Sequence, residues 1–261
     1  MLFGLFFAKP PLDEESVQWL FEVFAWALRN CDAGVFYDET LLVRPTNDHF
    51  PGRENSVHGM AQLVFRETAA YAGMGHWPFR LMEPGAPFPS EPPKLEIRGP
   101  LRSSGGTVTA AVHSTDPIPI PYDPNLIGNP EALIAGFTQT LAHYLGSAVQ
   151  EPSPGGLQNW PQATEVLAVF LGFGLMFANT AFNFQSRSCG SCGGPSAQRQ
   201  AFLSQYDVTY ALALFCVLKG IPKSDVLRHL KKSLRPYFKR CVRDIESRPV
   251  ELDALKAIPK R

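Results

Sequence analysis

Gln139 and His143 stand four residues apart in the run Gln139-Thr140-Leu141-Ala142-His143, and Glu165 follows 22 residues after His143. On a helix, a spacing of four stacks two side chains one turn apart on one face. His-Glu-x-x-His uses that spacing to hold one zinc ion between two imidazoles, with the glutamate as general base toward metal-bound water. Here Gln139 holds the first ligand position and Thr140 the general-base position. A carboxamide oxygen is a poor zinc ligand, and a threonine hydroxyl does not accept a proton from water near neutral pH. A second set with chemistry is Cys189 and Cys192, a Cys-x-x-Cys in a glycine-rich stretch. Such a pair is half of a zinc site or a redox couple. Neither Cys216 nor Cys241 comes with a partner at knuckle spacing, and no βα context lowers a thiol pKa. Three readings stay open: a loop with two incidental thiols, a separate metal site, or a disulfide.

The helix that must carry the first set has three start signals, namely Asn129 as cap, Pro130 at the first position and Glu131 in the first turn. Leu133, Phe137, Leu141 and Tyr144 recur at helical spacing, and Gly146 is the expected stop, giving a motif helix over 130–146. A second helix is expected over 161–184. Its 13 residues from Val166 to Ala178 carry no polar side chain, which is too short for a bilayer span of about 20 residues. It therefore reads as the central buried helix, with Gly172 and Gly174 admitting a close neighbour. Glu165, near its start, is suitably placed as an acid close to a helix N-terminus.

These residues resemble a family of uncharacterised bacterial proteins with a zincin-like, metallopeptidase-type helix. The shared frame is Asn129-Pro130-Glu131-Ala132-Leu133-Ile134, then Leu141-Ala142-His143-Tyr144-Leu145, then the run from Thr164 to Gly174 and Ala178-Asn179. It extends to the N-terminal helix and to Thr40-Leu41-Leu42-Val43-Arg44-Pro45-Thr46. The resemblance implies a small sheet ahead of the motif helix whose edge strand holds substrate. It also implies a zinc set of Gln139, His143 and Glu165, the last added from the second helix. In this chain that set is vestigial, because the first histidine and the glutamate of the motif are both replaced.

Elsewhere the pattern is structural. Residues 12–30 form a helix with Asp13, Glu14 and Glu15 at its start and with Trp19 and Trp26 on one side, for core packing or docking onto the rest of the chain. Residues 36–43 read as a strand and 54–73 as a helix. The proline-rich window from Pro78 to Pro124 allows only short extended pieces. Strands at 95–97 and 107–113, with Ile118-Pro119-Ile120-Pro121 as an edge or non-strand segment, read as a small antiparallel sheet within 93–122. His49, His58 and His76 lack a metal-type spacing. Helices follow at 205–219, ended by Gly220, and from Ser224, restarted at Pro236, while the tail after Arg248 is expected to be loosely held. The basic run from Arg228 to Arg243 has an apolar face, so a solvated basic face is favoured over a nucleic-acid patch.

The expected fold is mostly helical α+β, with a zincin-like core. Residues 1–76 pack as N-terminal helices and a strand on a core of 77–261, in one compact unit whose C-terminal helices occupy 205–246. The net charge is zero, but residues 1–150 hold 16 acids against 9 bases and residues 151–261 hold 8 against 15. Complementary packing of the two halves accounts for that asymmetry, and no nucleic-acid or membrane partner is expected. Five cysteines without a secretory signal point to the cytoplasm. The functional expectation is a catalytically inactive pseudoenzyme that binds or regulates a protein or peptide, with no cofactor or with zinc. The alternatives are an active hydrolase whose zinc site is rebuilt from His143, Glu165 and a further ligand such as His113, and a scaffold acting through the cysteine loop or the basic helix.

Overall fold

The computed structural model describes residues 10–87, 95–97, 99–103, 112–114, 117–185 and 201–260. Helix α1 (Glu14–Asn30) is capped by Asp13, whose carboxylate accepts the N–H of Ser16 at 2.8 Å, and it buries one stripe of its surface. Trp19 and Trp26 tie this helix to a distant loop by donating their indole N–H groups to the carbonyls of Pro154 (3.1 Å) and Glu151 (2.8 Å). The docking expected of the two tryptophans is thus through hydrogen bonds as well as packing.

The strand expected over residues 36–43 is corrected. Asp32, at φ 67°, caps a short helix, α2 (Ala33–Asp38), by accepting from Val35 N–H. Phe36 on it is buried and stacks on Phe170 with ring centroids 4.4 Å apart. Residues 40–43 then pass a buried helix, with Val43 N–H donating to the Gly172 carbonyl at 3.0 Å. Helix α3 (Val57–Tyr71) follows, capped by Ser56.

The sheet next to the core also differs from expectation. Strand β1 (Phe79–Leu81) pairs in parallel with β4 (Ile118–Ile120), and β2 (Leu95–Ile97) pairs antiparallel with β3 (Val112–Ser114) as a separate two-stranded ladder. Antiparallel pairing was expected for all of it. The residues that the pattern missed are Phe79–Leu81, too short a run to show alternation, and a parallel partner needs a long crossover that sequence spacing does not reveal.

Helix α4 (Pro130–Ser147) carries the motif residues, and Asn129 caps it as expected. Gly146 is not its stop. A Cβ there would lie 2.4 Å from the Trp160 ring, so this glycine lets the next helix approach. That helix is built in pieces: α5 (Trp160–Ala168), a π turn (Val169–Phe173) and α6 (Gly174–Gln185). Gly172 causes the break, at φ 98° and with a Cβ position only 2.1 Å from the Leu41 carbonyl oxygen. The stretch Gly156–Ala181 is long and apolar enough to cross a membrane by composition, yet its most apolar window is wholly buried in the fold.

Helix α7 (Gln205–Lys219) opens with a Ser204/Asp207 capping box and ends at Gly220 in the left-handed region. After α8 (Lys223–Leu227), α9 (Arg235–Glu246) starts with Pro236 in its first turn, as expected. The loosely held tail is corrected: α10 (Pro249–Lys256) buries Leu252 and Leu255, and Arg248 bonds both carboxylate oxygens of Glu14 at 2.6 and 2.8 Å. One hydrophobic cluster runs from Val17 to Leu255 through all these helices.

Candidate functional site

Motif helix α4 places its chemistry-bearing residues in different surroundings. Thr140 spends its hydroxyl on the Gly136 carbonyl at 3.2 Å, a bond internal to the helix. Gln139 is half-buried, and its Oε1 is buried without a hydrogen-bond partner. His143, expected between the two helices, is instead exposed at the edge of α4. Its Nδ1 accepts the indole N–H of Trp160 at 3.2 Å, and the two rings meet edge to face at 5.7 Å. The cover given by Trp160 desolvates the imidazole and lowers its pKa below the ordinary value. The interior position failed because Leu141 and Leu145 point inward, which turns His143, about 200° round the helix from Leu141, outward.

Glu165 is fully buried, and its Oε2 accepts the N–H of Leu203 at 2.8 Å, on the approach to α7. Trp160 and Leu167 are the α5 residues that meet α4 at Gly146. At about 100° per residue, Glu165 lies roughly 140° from Trp160 and 160° from Leu167, on the side of α5 away from α4. The structure therefore brings Trp160 to His143, and turns Glu165 toward Leu203.

This donor set does not fit a zinc ion. It would combine a carboxamide oxygen, an imidazole whose Nδ1 already accepts an indole N–H, and a carboxylate on the far side of the neighbouring helix. Among the described residues no group of three His, Cys, Asp or Glu side chains is placed to hold a metal. Cys189 and Cys192 lie outside the described residues. The side chain of His113 is likewise outside the description. Cys31, Cys216 and Cys241 are free and buried, with burial pushing the Cys31 and Cys241 thiols up to about 12. Those three thiols are inert at neutral pH.

An open site does exist, beside β1. A cleft of about 720 Å³ runs between α3 and this strand, with Phe65 and Arg66 on one wall and Trp77, Phe79, Arg80 and Leu81 on the other. Trp77 and Phe79 stack at 5.5 Å with nearly parallel rings, and Phe79 reaches Tyr144, the neighbour of His143, at 6.1 Å. The parallel ladder consumes the main-chain groups that face β4. Pro78 carbonyl accepts from Ile118 at 2.8 Å, and Met82 N–H donates to Ile120 at 2.9 Å. By alternation the N–H and carbonyl of Leu81 and the carbonyl of Phe79 point the other way, and among the described residues nothing pairs with them. Sequence reading missed this site because its signal is a backbone edge unpaired among the described residues, which no residue type encodes.

At the far end of α3, His58 links Tyr122 and Glu83, with Nδ1 3.2 Å from the Tyr122 hydroxyl and Nε2 3.4 Å from the carboxylate. This is a structural tie between α3 and the segments leaving β1 and β4. Comparison of the chain with protein-family models, with curated proteins and with solved structures finds no match in any of the three.

Proposed function

We propose that the chain is a catalytically inactive binding protein, a degenerate zincin-like pseudoenzyme, whose ligand is an extended peptide laid along the edge of β1 away from β4. The observation that carries this reading is a contrast between two places. At the motif helix, Thr140, His143 and the more distant Glu165 are each engaged in an internal hydrogen bond. At β1, the main-chain groups on the side away from β4 have no partner among the described residues, and the strand lines an open cleft with Phe79 and Arg80 beside it. An extended segment added to such an edge gains main-chain hydrogen bonds for affinity and side-chain contacts on alternate residues for specificity. Phe79, half-buried and backed by the buried Trp77 ring, suits an apolar residue of the guest, and Arg80, exposed and without a salt bridge among the described residues, suits an acidic one.

The test is selection of displayed random peptides on the purified chain, followed by solution titration of those enriched. Bound peptides should be recovered uncleaved. Methylating the main-chain nitrogens on alternate residues should abolish binding in one phase of the alternation and spare it in the other, and Arg80→Glu should weaken acidic peptides. Binding indifferent to N-methylation in both phases, or cleavage of the peptide, would overturn the reading.

A further inference from the structure

The C-terminal part of the chain gathers cations on a surface that the peptide cleft does not use. Helix α9 buries Phe238, Cys241, Val242 and Ile245. Its outward face carries Lys239, Arg240 and Arg243, and Arg228, Lys231 and Lys232 are exposed just ahead of it. The nearby carboxylates already have partners, Asp225 of α8 accepting from the Ser224 hydroxyl. Asp244 holds Tyr210 and Arg248, Asp207 caps α7, Glu131 holds Asn179, and Glu246 holds Lys223. Among the described residues Arg228, Lys231, Lys232, Lys239 and Arg243 form no salt bridge. Like charges crowded within a Debye length of about 8 Å repel one another, and an anionic partner relieves that repulsion.

One exposed aromatic ring borders α9, and a second lies close to it in the chain. Tyr206 is 47% exposed and meets Tyr237 of α9 edge to face at 4.8 Å, and Phe202, four residues earlier and ahead of α7, is 39% exposed. Single-stranded nucleic acid is gripped in a groove with stacking platforms, whereas the outward side of a helix is convex. A bilayer interface asks for cations spread over an area, to meet anionic headgroups, together with a few aromatic rings at headgroup depth. We infer that the α8–α9 face is a docking surface for membranes rich in anionic phospholipid, with Phe202 and Tyr206 seated among the headgroups.

The experiment is sedimentation of the full chain with phosphatidylcholine vesicles and with vesicles that also contain phosphatidylserine. Binding is expected only in the second case and should fall as salt is added. The triple variant Lys232→Gln, Lys239→Gln, Arg243→Gln should lower partition on the order of a hundredfold, at about one cation's worth of attraction per substitution. Tyr206→Ser with Phe202→Ser should weaken binding while leaving its salt dependence unchanged. Circular dichroism checks that each variant is folded. Absence of phosphatidylserine-dependent sedimentation at low salt overturns the assignment, as does a folded triple variant that binds like the parent. Capture of a labelled oligodeoxythymidylate in the absence of vesicle binding would move the face to nucleic acid instead.

Discussion

The indole N–H of Trp160 donates to Nδ1 of His143 at 3.2 Å, so that ring nitrogen must carry its lone pair, and the proton of the neutral imidazole sits on Nε2. Protonation at Nδ1 breaks the bond. Burial lowers the pKa of His143, and it does the same for His49, where the Arg44 charge adds to it, and for His76. Between each lowered value and the unfolded value of about 6.5 the unfolded chain binds more protons, so stability rises with pH in that window. Stability from these groups is complete above about pH 6.5 and is lost as pH falls through the lowered values. Thermal melts should show a loss between neutral and mildly acidic pH, and the loss should shrink in His143→Gln, which keeps an acceptor and does not titrate. An unchanged pH profile in that variant would show that His143 is not among the responsible groups.

Glycine substitutions test how the two central helices meet. Gly172→Ala is strained twice, by φ 98° and by a Cβ set 2.1 Å from a backbone oxygen of Leu41. Backbone cannot retreat as a side chain can, so a loss of at least about 3 kcal/mol is expected. Gly146→Ala meets the tip of a half-buried Trp160 ring, which can swing outward, so its loss should be smaller. Urea unfolding of both variants gives the ranking, and the reverse order would mean that the π turn relaxes more readily than the α4–α5 contact.

Arg102 is fully buried, and among the described residues no carboxylate pairs with it. It donates to the Ala72 carbonyl at 3.0 Å, to the Cys31 carbonyl at 3.4 Å and to the Thr40 hydroxyl at 2.8 Å. Cys31 and Ala72 are the C-caps of α1 and α3, so two helix ends turn their negative poles toward one guanidinium. Burial still lowers its pKa to about 10, which leaves it charged at neutral pH. Arg102→Ala should cost about 3–5 kcal/mol by leaving the carbonyls orphaned in the core. Arg102→Lys should recover only part of that, because an ammonium lacks the planar fork. Equal midpoints for Lys and Arg would show that charge alone matters.

Much of this architecture is legible in the residues. The capped starts at Asp13, Asn129 and Ser204 and the stop at Gly220 are local chemistry, and local chemistry predicts α1, α4 and α7 to within a few residues. Residues 36–43 and the β1–β4 ladder failed because their conformation is set by tertiary partners, Phe170 and Gly172 in one case and a strand nearly forty residues away in the other. The candidate site failed for a related reason. Helical spacing aligned Gln139 with His143, but nothing in it tells which side of α5 Glu165 occupies.

Glu165 gives a direct test of its role. Its carboxylate holds the Leu203 N–H ahead of α7, so Glu165→Ala should cost about 1–3 kcal/mol by orphaning that donor. Glu165→Gln, which keeps an acceptor oxygen, should cost less, and neither should alter peptide binding in the β1 cleft. Loss of bound zinc from the purified chain on either substitution would restore Glu165 to the role of ligand.

The last prediction concerns the motif itself. Gln139→His with Thr140→Glu recreates His-Glu-x-x-His on α4, with both imidazoles on one face of an intact helix. Firm zinc binding takes at least three protein ligands converging at about 2.0–2.2 Å from one point. The third would have to be Glu165, which lies on the side of α5 turned toward Leu203, while His143 is held at the exposed edge by Trp160. The two imidazoles alone can hold zinc only weakly, with water completing the shell. The double variant is therefore expected to take up zinc with low affinity and little thermal stabilisation, since stabilisation by a ligand scales with its occupancy of the folded state. Adding Glu165→Ala should leave that uptake unchanged. Zinc titrated by calorimetry, in the double and in the triple variant, decides the matter. Stoichiometric, tight uptake that the Glu165 substitution removes would mean that α5 can rotate its carboxylate into the site, and the zinc-binding frame would then be intact.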